Sequence, residues 1–151
     1  MDRVSIYLNF MGNTEEAFNR YAEIFGTGIT SLQRMRDVPM DDGGPRLAEA
    51  ELDLVMHVEL PILGGAVLMG TDMLESMGHE LRLGNNMTIN LEPEELAETQ
   101  RLFEALSEGG TDVMPLTLMF WGAHWGTCCD RFGVRWMFNW QEQPLPSRGT
   151  V

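Results

Sequence analysis

His57 and Glu59 stand two residues apart in the apolar run Met56-His57-Val58-Glu59-Leu60. In an extended strand, residues i and i+2 share a face. The imidazole and the carboxylate are therefore expected side by side. Such a pair can move a proton, orient a ligand or supply half of a metal site. Its plainer counterpart is an ordinary polar pair on a sheet surface. A third candidate, His124, lies between Trp121 and Trp125 with Gly122 and Gly126 nearby. The glycines suggest a loop, and a histidine among loop aromatics would cap a pocket.

The walls of such a pocket are expected from the last apolar stretch, Phe120 to Trp140, which holds all four tryptophans. Trp121 and Trp136 offer wide flat surfaces. Alternation sets Trp136, Phe138 and Trp140 on one strand face and Met137 and Asn139 on the other. If the Met137 face lines a cleft, Met137 and Asn139 are pocket residues and the Trp136 face is core. Met69, Met137 and others of the 12 methionines would make an adaptable apolar lining, with plain core packing the alternative for most of them.

Cys128 and Cys129 are adjacent, so in a strand they point to opposite faces and form no unstrained disulfide. One thiol is expected in the core. Met1-Asp2-Arg3-Val4 leads straight into a strand pattern, with no basic leader and apolar stretch, so no export signal is expected. Together these point to a reducing cytoplasm. The chain carries 23 acidic and 10 basic residues, none of them lysine, for a net charge of -13. Nucleic acid, which needs clustered cations, is excluded as a partner. A cationic ligand would suit this surface, although a solvated acidic surface needs no ligand. No apolar run approaches the roughly 20 residues that span a bilayer, so no membrane partner is expected.

The elements that must position these residues read as follows. Val4 to Met11 alternates as a strand. Asn13 with Glu15 and Glu16 suggests a helix start. Phe18, Tyr21, Ala22 and Phe25 give one helical face, and Gly26 stops it. Ile29 to Met35 is a strand. Asp37 to Arg46 is a loop, read as a connection with a lid as the alternative. Leu47 to Leu63 carries a long strand, Gly64-Gly65 a hairpin turn, and Ala66 to Met69 a short return strand. Residues 73 to 85 are a link. Asn86 to Leu91 is again a strand. Pro93 is expected as a first helical residue, with Leu96, Thr99, Phe103 and Leu106 as the helix face. Strands follow at Asp112 to Met119, Gly126 to Asp130 and Val134 to Trp140, and Pro144 to Val151 is a tail. Asp72 and Asp130 are read as turn residues.

The order repeats at an offset of 81 residues, Ile6–Phe25 matching Met87–Leu106. The chain is thus read as an α+β protein of two βαβββ modules, at about 4–72 and 86–142, joined by a linker at 73–85 and closed by a tail at 143–151. Two such modules would form one domain around a shared cleft.

Asn13-Thr14-Glu15-Glu16-Ala17-Phe18, Met56-His57-Val58-Glu59-Leu60, Met69-Gly70-Thr71-Asp72, Phe120-Trp121-Gly122 and Asp130-Arg131-Phe132-Gly133-Val134-Arg135-Trp136 resemble the PhnB-like branch of the glyoxalase / bleomycin-resistance / extradiol-dioxygenase superfamily. The resemblance spans about residues 4 to 142. It implies the vicinal-oxygen-chelate fold and a homodimer. Some relatives carry a demethylubiquinone methyltransferase label, but no Gly-rich turn after a strand supports a methyl donor here. The superfamily's enzymes hold a divalent metal on the first and last strands of each module. Carried over, those positions fall near Ser5 or Ile6, at Asn86, and at Met69 and Met137. None is His, Asp or Glu, so no metal cofactor is expected.

The expected function is therefore binding of a small, partly apolar molecule without a catalytic metal, through His57, Met69, Trp121, His124, Met137 and Asn139. One alternative is a lyase or dioxygenase-like enzyme with a divalent metal relocated to His57, Glu59 and His124. Another is a protein that sequesters a cationic antibiotic.

Overall fold

The computed structural model describes residues 1–39 and 47–142. The end of the Asp37–Arg46 loop, residues 40–46, lies outside the described residues, as does the tail from residue 143. The chain divides into two compact units, the first ending at Leu83 and the second starting at Gly84. Both have the order strand, helix, three strands.

In the first unit these are β1 (Ile6–Phe10), α1 (Thr14–Phe25), β2 (Ser31–Arg34), β3 (Val55–Pro61) and β4 (Val67–Asp72), in one sheet of order β1-β4-β3-β2. β1 runs parallel to β4, and the other pairs are antiparallel. The alternation in β1 decides the layering. Ile6, Leu8 and Phe10 turn one way and Tyr7 and Asn9 the other. Phe10, Val58, Leu60 and Leu68 are buried together with Ala17, Phe18, Tyr21 and Ile24 of α1. The helical face is rotated slightly from the expected one, since Ala22 and Phe25 are only half-buried. Gly70 is what lets α1 come close: a Cβ there would stand 2.6 Å from the Phe18 ring.

Asn13 does not cap α1 through its side chain. Asp72 does that work from the end of β4. Its Oδ1 accepts from Gly12 N at 2.8 Å, Thr14 N at 3.2 Å and the Thr14 hydroxyl at 2.6 Å, while Oδ2 accepts from Val55 N at 2.9 Å. A carboxylate at a helix N-terminus also opposes the helix dipole favourably. Asp72 is thus a buried clamp joining three elements, where the sequence suggested a turn residue. β3 starts at Val55, later than expected, because Glu49–Glu51 form a 3₁₀ turn.

The second unit holds β5 (Ile89–Leu91), α2 (Leu96–Ser107), β6 (Thr111–Leu118), β7 (Ala123–Cys129) and β8 (Arg135–Gln141), ordered β5-β8-β7-β6. β5 is parallel to β8 and the rest are antiparallel. Trp136 and Phe138 are fully buried, each worth roughly 2–3 kcal/mol of apolar burial. Phe138 meets Phe103 of α2 edge-on at 5.3 Å. α2 starts at Leu96, three residues after Pro93, because Glu95 is still extended. β7 starts at Ala123. Gly122, at φ +92, turns the chain tightly, and Met119 N donates to Ala123 O at 2.8 Å. His124 therefore sits in a strand and not in a loop. Asp130 holds the β7–β8 turn as expected: it accepts from Phe132 N and Val134 N at 2.8 and 3.0 Å and from Trp136 Nε1 at 2.8 Å.

Among the described residues, no helix is long and apolar enough to cross a membrane.

Candidate functional site

In the first unit α1 covers one face of the sheet, and among the described residues of this unit no helix covers the opposite, open face. Register puts Tyr7 opposite Met69, Met69 opposite Glu59, and Glu59 opposite Ser31. The neighbouring rung pairs Asn9 with Thr71 and His57 with Gln33. His57, Glu59 and Met69 are thus brought to one face, as period two requires.

The side chains on this face form a continuous chain of hydrogen bonds. His57 Nε2 lies 3.1 Å from Glu59 Oε1, and His57 Nδ1 lies 3.1 Å from the Tyr7 hydroxyl. The His57 and Glu59 side chains keep 24% and 31% exposure, so a solute can reach them. Burial raises the Tyr7 phenol above its ordinary value, and the nearby Thr71 side chain acts weakly in the other direction. The phenol is a hydrogen-bonding group here and not a base. Thr71 Oγ1 donates to Met56 O at 2.7 Å. Sequence reasoning passed over Tyr7 and Thr71. The available signal was that Tyr7 falls in the polar phase of β1, out of step with Ile6, Leu8 and Phe10.

The second unit separates the remaining candidates. Met137 and Asn139 do share the open face of their sheet, with Thr127 opposite Met137 and Trp125 opposite Asn139. Asn139 Nδ2 donates to Glu92 Oε1 at 3.4 Å. His124 goes to the helix side. There it lies 5.6 Å from the Trp140 ring, whose Nε1 donates to Glu94 O at 3.0 Å just ahead of α2. The loop expected around His124 is a strand, since β7 includes it. Trp121 stands in the β6–β7 turn at 49% exposure, stacked edge-on against Phe120 at 4.8 Å. Cys128 is buried, and that burial, with Asp130 nearby, pushes its thiol up to about 12. A thiol so held stays protonated and is not a nucleophile. A groove of about 760 Å³ opens beside the end of β8, lined by Glu92, Pro93, Glu94, Asn139, Trp140, Gln141 and Glu142.

The chelate positions can be placed by register. Ile6 faces the helix, so the open-face residue opposite Met69 is Tyr7; in the second unit Asn90 is opposite Met137. These replace Ser5 or Ile6 and Asn86 as the first-strand positions. A phenol, two thioethers and an amide do not fit a hard divalent cation. Among the described residues, no group of three or more His, Cys, Asp and Glu side chains is placed to hold a metal ion. Both ring nitrogens of His57 already have partners.

The sequence profile of the family described as 3-demethylubiquinone-9 3-methyltransferase matches residues 2–139. The crystal structure of protein PA1353 from Pseudomonas aeruginosa is 34% identical, with a TM-score of 0.80, covering 95% of this chain and all of that one (100%). A Bacillus cereus structure described as a putative 3-demethylubiquinone-9 3-methyltransferase, PhnB protein, is 26% identical with a TM-score of 0.71, covering 92% of this chain and 99% of that one. A glyoxylase/bleomycin resistance protein/dioxygenase domain from Frankia sp. shares the fold at a TM-score of 0.61 and 14% identity, covering 96% of each chain.

Proposed function

Because this chain belongs to the PhnB-like family described as 3-demethylubiquinone-9 3-methyltransferase, with the two-module vicinal-oxygen-chelate fold, we propose that it binds a small, partly apolar molecule without a catalytic metal, on the open face of the first sheet. The observation that carries this reading is the Tyr7–His57–Glu59 chain beside Met69. A partly exposed imidazole held from both sides is pre-organised for a ligand. A merely solvated polar pair would gain little from being fixed.

Methyl transfer is not part of this reading. A nucleotide-like methyl donor needs open backbone N–H groups at a strand-to-helix turn. Here Gly12 N and Thr14 N are taken by Asp72. The corresponding turn before α2 reads Glu92-Pro93-Glu94-Glu95 and has no Gly-rich run either. The chelate positions Tyr7, Met69, Asn90 and Met137 support a metal-free site, and the commitment of His57 to Tyr7 and Glu59 speaks against a relocated one.

The test is to titrate the chain with a panel of small aromatic and carbonyl compounds, following the Tyr7 and His57 ring signals by NMR. Binding that perturbs these rings and weakens at least about tenfold in His57→Ala would support the site. Equal binding by that variant would sink it. Metal analysis of protein purified without chelator gives the second arm, since stoichiometric zinc, manganese, nickel or iron would overturn the metal-free reading.

The groove beside β8 favours a second reading, sequestration of a cationic aromatic molecule. Glu92, Glu94 and Glu142 line this groove together with Trp140, and carboxylates with an aromatic face suit an organic cation. An unchanged melting temperature at saturating cationic glycopeptide would remove that support.

A homodimer belongs to the same proposal. It is supported by exposed Val113, Met114 and Leu118 on edge strand β6 and by Phe120 and Trp121 in the turn beyond it. Light scattering coupled to gel filtration decides it. Cytoplasmic residence is supported by the two free thiols, Cys128 and Cys129.

A further inference from the structure

The open face of the first sheet contains a constraint that fixes where protons sit. An ionised Glu59 carboxylate can only accept, so the His57 nitrogen facing it, Nε2, must carry hydrogen. In neutral His57 the other nitrogen, Nδ1, is then bare. It can only accept, and the Tyr7 hydroxyl 3.1 Å away must donate to it. The Tyr7 oxygen is left with lone pairs toward solvent. Protonation of His57 reverses this: Nδ1 gains a hydrogen and donates to the Tyr7 oxygen, which frees the phenolic proton to point elsewhere.

We propose that the Tyr7–His57–Glu59 chain is a proton-controlled polarity switch for ligand choice. With His57 neutral, the site takes a molecule that donates a hydrogen bond to the Tyr7 oxygen, such as a phenol or alcohol. With His57 protonated, it takes a molecule that accepts one from the Tyr7 hydroxyl, such as an aryl ketone. This rests on the open face of the first sheet being the ligand site.

Among the described residues of the four strands, nothing else facing His57 competes for the switching proton. β1 presents Tyr7 and Asn9, β2 presents Ser31 and Gln33, β3 presents Glu59, and β4 presents Met69 and Thr71. Only Tyr7 and Glu59 of these titrate. Thr71 enters in a different way. Its own proton is committed to Met56 O, so its oxygen is an acceptor that can take the freed Tyr7 proton when no ligand is present. Met69, between Tyr7 and Glu59, supplies the apolar contact for the ligand's ring.

The test uses the full chain with ¹⁵N-resolved NMR of the imidazole nitrogens across the His57 titration. The expected neutral form carries its hydrogen on Nε2. A neutral form with hydrogen on Nδ1 would overturn the switch, whatever binds. Acetophenone and phenol are then titrated one pH unit either side of the His57 midpoint. Acetophenone should bind about fivefold tighter on the acid side and phenol about fivefold tighter on the alkaline side, the lower end of ordinary coupling between sites. By reciprocity, saturating acetophenone raises the His57 midpoint and phenol lowers it. Both effects should vanish in Tyr7→Phe, and Thr71→Val should sharpen the acetophenone preference. Equal pH dependence for both probes, or a preference that survives Tyr7→Phe, would also overturn the switch. If neither probe reaches the face although the hydrogen is on Nε2, the ligand-site reading fails and takes the switch's selectivity with it. The two failures are thereby distinguished.

Discussion

The two units share a strand order but use the free faces of their sheets differently. In both, the helix-facing positions are filled by apolar residues: Phe10, Val58, Leu60 and Leu68 in one, Leu91, Trp136 and Phe138 in the other. The open face of the first carries Tyr7, His57 and Glu59 in hydrogen-bonded contact, with Thr71 on the same face. The open face of the second carries Met137, Asn139, Trp125 and Thr127, and its histidine has gone to the helix side. Packing constrains the covered face to be apolar and leaves the other face free to diverge. A repeat can therefore keep its architecture while only one copy keeps polar machinery.

The buried aspartates show the same divergence. Asp72 ties β4 to the start of α1 and to β3, whereas Asp130 ties its own turn to Trp136. One is a long-range clamp and the other mostly local.

The comparison can be tested by mutation. Trp136→Ala, which empties the largest buried site of the second unit, should cost about 4 kcal/mol in urea denaturation. A cost under about 1 kcal/mol would mean that the second core is not built around it. Asp72→Ala should follow at about 3 kcal/mol, because it leaves several buried donors without a partner. Asp130→Ala should cost less, about 2 kcal/mol, since two of its donors lie in a turn that water can reach. A reversed order would show that the local turn matters more than the clamp. Gly70→Ala should cost about 2 kcal/mol by pushing a methyl group into the Phe18 ring.

A pH-dependent effect separates the covered and open faces. The Cys128 thiol is raised in the folded chain from 9.0 to about 12. Because its folded value exceeds the unfolded one, the unfolded chain loses the proton first. The associated stability is present below about 9 and lost as pH rises toward 12. The urea midpoint of wild type should thus fall more steeply over that window than that of Cys128→Ala. Identical slopes would show that the thiol is not held in the core. Smallest of all, Tyr7→Phe should change stability by no more than about 0.5 kcal/mol, although it is expected to alter ligand choice. A large loss there would assign Tyr7 to the structure and not to the site.

Much of this architecture was legible in the residues. Period two placed His57 with Glu59 and Met137 with Asn139, and it separated the latter pair from Trp136 and Phe138. The repeat of strand, turn and helix announced two modules of one design. Boundaries were less accessible. Glycines at 122 and 126 suggested a loop around His124, but one glycine with positive φ at 122 turns the chain, so the strand takes in both His124 and Trp125. Pro93 looked like a helix start, but the helix waits until Leu96 because Glu95 remains extended.

The sequence by itself determined the α+β class, the two modules and the faces that residues of one strand share. Alternation and helical spacing are local, and burial rewards them wherever the partner lies. Only the tertiary structure decided that Tyr7 meets His57 across 50 residues of chain, that Asp72 caps a helix 58 residues earlier, and that His124 lies under Trp140. Those contacts depend on which strands become neighbours and in what register, and no local pattern carries that information.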